Sequence, residues 1–194
     1  MPSIATVVAD LQNGSINSIG QIPRNDQTTM DKEISLTTRV MYFFCHINAS
    51  IAGTKLHCTA AASGPSFNGS YLHYKDDWST VANMDVNRPL VVSGNFSGCM
   101  WKVFRSDQQG LFKCIHIYRG GTGSDTLVNL VTGGHAVTQK WTEIQALPTA
   151  GRIVGAVKGV VVVSQLFSNR IDTALLDLDN TNTVVNVVFQ SDRI

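Results

Sequence analysis

Charge is what this sequence has least of. Only 15% of its 194 residues are Asp, Glu, Lys or Arg, against about 25% in an average soluble domain. The 15 basic and 14 acidic side chains leave a formal charge of +1, and no run of Lys or Arg occurs. That balance excludes recognition driven by phosphate neutralisation, which needs a clustered basic excess, so no nucleic-acid partner is expected. Long apolar runs are also missing. None approaches the roughly 18 residues of a membrane span, and residues 1–20 carry neither a basic leader nor a continuous apolar stretch. The expectation is a chain with no membrane partner and no Sec-type signal, exported, if at all, by a specialised system.

The four cysteines, Cys45, Cys58, Cys99 and Cys114, form no C-x-x-C pair and no Cys/His spacing typical of structural zinc. A chain of this length with 43% hydrophobic residues can bury a core without cross-links, so free thiols are expected. No fixed-period repeat or low-complexity linker divides the sequence. One domain spanning 1–194 follows, with 1–34 loosely ordered apart from a short helix near 3–11.

What the sequence does have is β-branched and aromatic residues in short runs separated by turn dipeptides. The segment from 37 to 48 reads as a buried strand, and 55–61 pairs with it across Ala52-Gly53. Gly64-Pro65 and Asn68-Gly69 break 63–74 into loop. A short helix is expected within 76–84, then a strand at 90–93. Two apolar runs, 100–104 and 111–118, flank the polar tip 105–110 and read as a hairpin. Residues 125–132 and 136–144 suggest another pair around Gly133-Gly134. The strongest Val/Ile enrichment, in 153–167 and 183–189, predicts central strands. The fold class expected is α+β, with a β-sandwich-like mixed sheet core and peripheral helices.

One stretch carries chemistry. In Ser93-Gly-Asn-Phe-Ser-Gly-Cys99 a thiol follows Ser-Gly, a composition that allows a tight turn with exposed amides. A nucleophilic cysteine needs a neighbouring imidazole to take its proton. His116 lies on the second arm of the proposed hairpin, which antiparallel pairing carries back beside residues 99–102. Cys114, two residues from His116, is the rival thiol, but it sits in mid-strand with no glycine turn. Cys45-His46 and His57-Cys58 face opposite ways on their strands, so each pair offers one ligand to a common site and a metal is not expected. His135 after Gly133-Gly134 reads as surface loop, His73 among Tyr71, Tyr74 and Trp78 as part of an aromatic cover, and Trp101 as core. Asp172, Asp177 and Asp179 do not match a calcium loop and read as a solvated turn.

The arrangement of Ser93, Ser97-Gly98-Cys99 and His116 resembles the glutamine deamidases related to the chemotaxis-receptor deamidase CheD. That group includes the toxins cytotoxic necrotizing factor and Burkholderia lethal factor. The run Arg152-Ile-Val-Gly-Ala-Val-Lys-Gly159 also looks like a C-terminal core strand of the lethal factor. The resemblance covers under a third of the chain, and Ser at position 93 stands where the family has Thr. It implies a toxin or effector-like protein glutamine deamidase, with Cys99 as nucleophile, His116 as base and Ser93 as its orienter. It further implies no cofactor, a host protein with a surface glutamine as partner, action in the host cytoplasm and a monomeric state. Two other classes remain open: a β-sandwich binding or adhesion module with structural cysteines, and a cysteine peptidase or transglutaminase.

Overall fold

The computed structural model describes residues 4–36, 39–61, 67–94, 96–107, 110–118 and 141–194. Among these residues one six-residue helix, α1 (Val7–Gln12), precedes a mixed sheet of thirteen strands. They are β1 (Ser18–Ile19), β2 (Met30–Ser35), β3 (Val40–Ala52), β4 (Lys55–Ala60), β5 (Gly69–Leu72), β6 (Ser79–Met84) and β7 (Leu90–Ser93). The remainder are β8 (Met100–Ser106), β9 (Phe112–Ile117), β10 (Trp141–Pro148), β11 (Gly159–Leu166), β12 (Arg170–Leu178) and β13 (Val184–Arg193).

The main path runs β10-β8-β9-β6-β3-β5-β7-β11-β12-β13, and β1, β2 and β4 attach around β3. Pairing is antiparallel except between β1 and β4, β3 and β6, and β5 and β7. The sheet curls until its two ends approach. Gln145 on β10 donates from its amide to the Ile171 carbonyl on β12 (3.1 Å) and to Asp192 on β13 (2.9 Å). The chain is therefore mostly β, as its composition indicates. The architecture is one nearly closed, barrel-like sheet in place of two packed layers, and among the described residues one short α-helix stands where peripheral helices were expected.

Alternation along the central strands explains the apolar runs. Val160 and Val162 of β11 face a core shared with Leu72, Val91, Trp101, Val103 and Leu175. Val161 and Val163 face a second core, formed with α1, Cys45, Ile47, Leu56, Cys58 and Leu176. A strand covered on both faces reads as a continuous hydrophobic run.

Several strands fall where the sequence places them. The hairpin of β8 and β9 forms, with Trp101 opposite His116 and Val103 opposite Cys114. Residues 79–84 form β6, not a helix, because β3 on one side and β9 on the other complete its ladder. The Val-rich C-terminal run lies at an end of the path, with Val185 and Val188 exposed. Asp172 and Asp177 lie within β12 and are buried, held by Arg170 and Arg152. The expected pair at 125–132 and 136–144, and His135, lie largely or wholly outside the described residues.

Candidate active site

The short strand β7 ends at Ser93, and β8 begins at Met100. Glycine is required at two points of the turn between them. A Cβ on Gly94 would stand 2.9 Å from the Tyr71 hydroxyl oxygen. Gly98 has φ of 150°, a conformation that L side chains rarely adopt. The Phe96 amide donates to the Val160 carbonyl (3.4 Å), and both the amide and the hydroxyl of Thr149 donate to the Cys99 carbonyl. These bonds tie the turn to β11 and to the end of β10.

Of the three residues singled out by sequence, Ser93 and His116 are joined directly, and Cys99 shares a strand face with His116. Ser93 Oγ donates to the Leu72 carbonyl at 2.8 Å and lies 3.0 Å from His116 Nδ1. A serine hydroxyl has one proton, and here it is committed to Leu72, so the ring bond requires Nδ1 to be the donor. Neutral His116 is thereby held as the Nδ1–H tautomer, with its acceptor lone pair on Nε2. That Nε2 atom is buried and has no hydrogen-bond partner, the Cys99 thiol included. Cys99 precedes β8 by one residue. The register Met100 to Ile117 and Trp101 to His116, extended by one step, sets it opposite Tyr118 and on the face that carries Trp101 and His116. Cys99 and Trp101 belong to the same core cluster.

Aromatic rings complete the surroundings. Phe96 lies parallel to the His116 imidazole, with centroids 3.7 Å apart and planes 8° apart. Tyr74 lies 5.4 Å away and tilted, and its hydroxyl donates to Asp76. Tyr118 packs on Tyr74 at 6.3 Å. Desolvation first, then the Asp76 carboxylate and the nearby Cys99 and Tyr118, push the Tyr74 phenol above its ordinary range. Sequence reasoning missed Phe96, Tyr118 and Thr149, and placed Tyr74 only in an aromatic cover away from the site. For Phe96 a signal existed: it is the one bulky residue in an otherwise small-residue turn.

The site is closed. Cys99 is 4% exposed, His116 1% and Ser93 not at all. Two described surface grooves, of about 260 and 670 Å³, include none of the three in their linings. Burial lowers the His116 pKa to about 3, so the resting imidazole is neutral. The other thiols are buried and free. Burial pushes Cys45 and Cys58 up to about 12 and Cys114 upward as well. Cys114 faces the barrel interior opposite Val103 and Ala82, without a turn beside it.

His73 is wholly buried, with neither ring nitrogen hydrogen-bonded, and packs against the rings of Phe43 and Tyr71. Among the described residues no group of His, Cys, Asp and Glu is arranged to hold a metal, and no helix is long and apolar enough to cross a membrane. No protein-family model, curated protein or solved structure matches the chain.

Proposed function

We propose that the protein is a protein-glutamine deamidase of the cysteine–histidine type, with Cys99 as nucleophile, His116 as general base and Ser93 as the group that orients the imidazole. The observation that carries this reading is the Ser93 to His116 hydrogen bond. Two residues 23 positions apart, named from the sequence, meet at 3.0 Å with a proton arrangement that leaves Nε2 as the base. The resemblance to toxin deamidases supplies the substrate, a surface glutamine on a host protein, and the expectation of a monomeric effector acting in a host cytoplasm.

In the reaction the Cys99 S–H proton passes to His116 Nε2 and the thiolate adds to the carboxamide carbon. Main-chain amides of the Ser97-Gly98-Cys99 turn stabilise the oxyanion. The imidazolium returns its proton to the leaving nitrogen, ammonia departs, and water hydrolyses the thioester to leave glutamate and a free thiol. Because Cys99 is buried, the carboxamide reaches it only after the aromatic cover of the site shifts. The missing bond between Cys99 and Nε2 is of the kind that tightens only when substrate binds.

A second reading rests on the same burial: a non-enzymatic β-barrel module in which Cys99 is a small core residue. One experiment separates the two. Iodoacetamide treatment of the folded chain near pH 6.5, with peptide mass spectrometry, is expected to label Cys99 ahead of Cys45, Cys58 and Cys114. Benzyloxycarbonyl-glutaminylglycine or casein is expected to release ammonia without peptide cleavage, an activity absent from Cys99→Ser. Cleavage of casein favours the peptidase class; an unreactive Cys99 with no ammonia release favours the structural module.

A further inference from the structure

The His116 ring is buried, and its neighbours differ from edge to edge. Nδ1 is bound by Ser93, one π face is covered by Phe96 at 3.7 Å, and Tyr74 stands 5.4 Å away at 45°. Only Nε2 is left unpartnered. Phe96 is the more firmly held part of the aromatic cover, which leaves Tyr74 and Tyr118 as the part that shifts. Phe96 is 0% exposed, its amide is bonded to the Val160 carbonyl, and its ring meets Trp101 edge-on at 6.1 Å. The parallel contact is tighter than the 4.5–7 Å usual for aromatic pairs.

When a base in such a setting takes a proton, it becomes a cation with little water around it. An aromatic face attracts a cation without being charged, and the Phe96 ring is the nearest one to the imidazole. We propose that Phe96 is a positioning residue for this base: its ring fixes the plane of His116 so that Nε2 alone is presented to the thiol, and its π face stabilises the imidazolium once the proton has arrived. The proposal rests on the reading of Cys99 and His116 as a proton-transfer pair. The step conserves atoms and charge. Sγ–H is broken and Nε2–H is formed, Nδ1–H stays with Ser93, and the products are a thiolate and an imidazolium. The other titratable groups around the ring are Cys114 on its own strand, Tyr118 at the strand's end, and Tyr74 with Asp76.

The test uses the full chain with Phe96→Leu, Phe96→Met and Phe96→Tyr, each checked for fold by circular dichroism. Iodoacetamide alkylation of Cys99 is followed from pH 5 to 9. The inflection pH is the readout, because the amplitude also responds to how accessible the thiol is. In the wild type the inflection is expected below the value of about 8.5 for an ordinary thiol. Phe96→Leu and Phe96→Met are expected to raise it by about one unit, a tenfold loss of thiolate at pH 6.5. Phe96→Tyr, which keeps the ring, is expected to match the wild type.

Folded Leu or Met variants with the wild-type inflection overturn the proposal, as does a tyrosine variant shifted like the leucine one, or a wild-type inflection at the ordinary thiol value. Phe96→Met supplies the same reading if Phe96→Leu does not fold. If the inflections move as expected while the wild type releases no ammonia from benzyloxycarbonyl-glutaminylglycine or casein, the deamidase assignment fails and the positioning role stands.

Discussion

The Ser93 hydroxyl stands between the Leu72 carbonyl and the His116 imidazole, giving its proton to the first at 2.8 Å and accepting one from the second at 3.0 Å. The relationship fixes a tautomer, which nitrogen chemical shifts report directly. In the wild type Nδ1 of His116 is expected to show the protonated pyrrole-type shift and Nε2 the pyridine-type shift. Ser93→Ala is expected to lower Cys99 alkylation at pH 6.5 by about 10²-fold through misaimed Nε2. Ser93→Thr, which keeps the hydroxyl, is expected to stay within a few-fold. A protonated Nε2 in the wild type refutes the assignment.

Acid should unfold the protein through its buried imidazoles. Burial lowers the His73 pKa to about 4, against a smaller opposing influence of Asp26, and the His116 pKa to about 3. Unfolded histidine titrates near 6.5. Below that pH the unfolded chain binds protons that the folded chain refuses. Stability is therefore full above about pH 6.5 and lost as pH falls toward the folded values, by about 1.4 kcal/mol per unit for each group. His73→Phe is expected to stabilise the chain more at pH 5 than at pH 7.5 in urea denaturation. An equal effect at both pH values contradicts this account.

A buried chain of hydrogen bonds crosses the barrel beneath the turn. Trp101 Nε1–H donates to Ser164 (3.0 Å), and Thr173 donates to Gln145 Oε1 (2.5 Å). The Ser164 proton must therefore serve the 2.7 Å bond to Thr173. Ser164→Ala leaves the indole N–H without its acceptor, at a cost of about 1–3 kcal/mol. Combined with Thr173→Val, the loss is expected to fall short of additivity by about 0.5–3 kcal/mol. Additive urea-denaturation losses would show that the links act separately.

Gly98→Ala forces a side chain onto a φ of 150°. It is expected to cost about 1–3 kcal/mol of stability and to move Cys99 relative to His116. Its effect on ammonia release should exceed that of Ser97→Ala, which leaves the glycine in place. Similar rates for the two variants argue that the turn's backbone conformation is irrelevant to the chemistry.

How far these features could be read from sequence varies with their physical origin. The 160–163 valines and the β8–β9 hairpin follow from alternation, turn composition and antiparallel register, all of which are local or nearly so, whereas the pairing of Ser93 with His116 comes only through the family resemblance, because β7 and β9 are not neighbours in the sheet. Ser79–Met84 misleads because its Ala, Asn and Met have weak strand preference, and the decision belongs to distant neighbours such as Ile115, which pairs with Val81. The C-terminal valines mislead differently, since β-branched side chains suit a pleated surface whether it is central or at an edge. The depth of Cys99, the stack of Phe96 on His116 and the reach of Thr149 to the Cys99 carbonyl depend on how a thirteen-strand sheet curls. No periodicity in the chain encodes that curvature.

Gln145 does with one carboxamide what a backbone ladder does elsewhere around the barrel, so the ring of strands has a clasp in place of a continuous weld. Strand β10, on one side of that clasp, runs directly into Thr149, whose two donors hold the carbonyl of the candidate nucleophile. Slow amide exchange should therefore fail first along β10 and β13. A substitution at Gln145, remote from the thiol in sequence, should quicken both that exchange and the alkylation of Cys99, as a loosened hoop slackens the stave beside the gap.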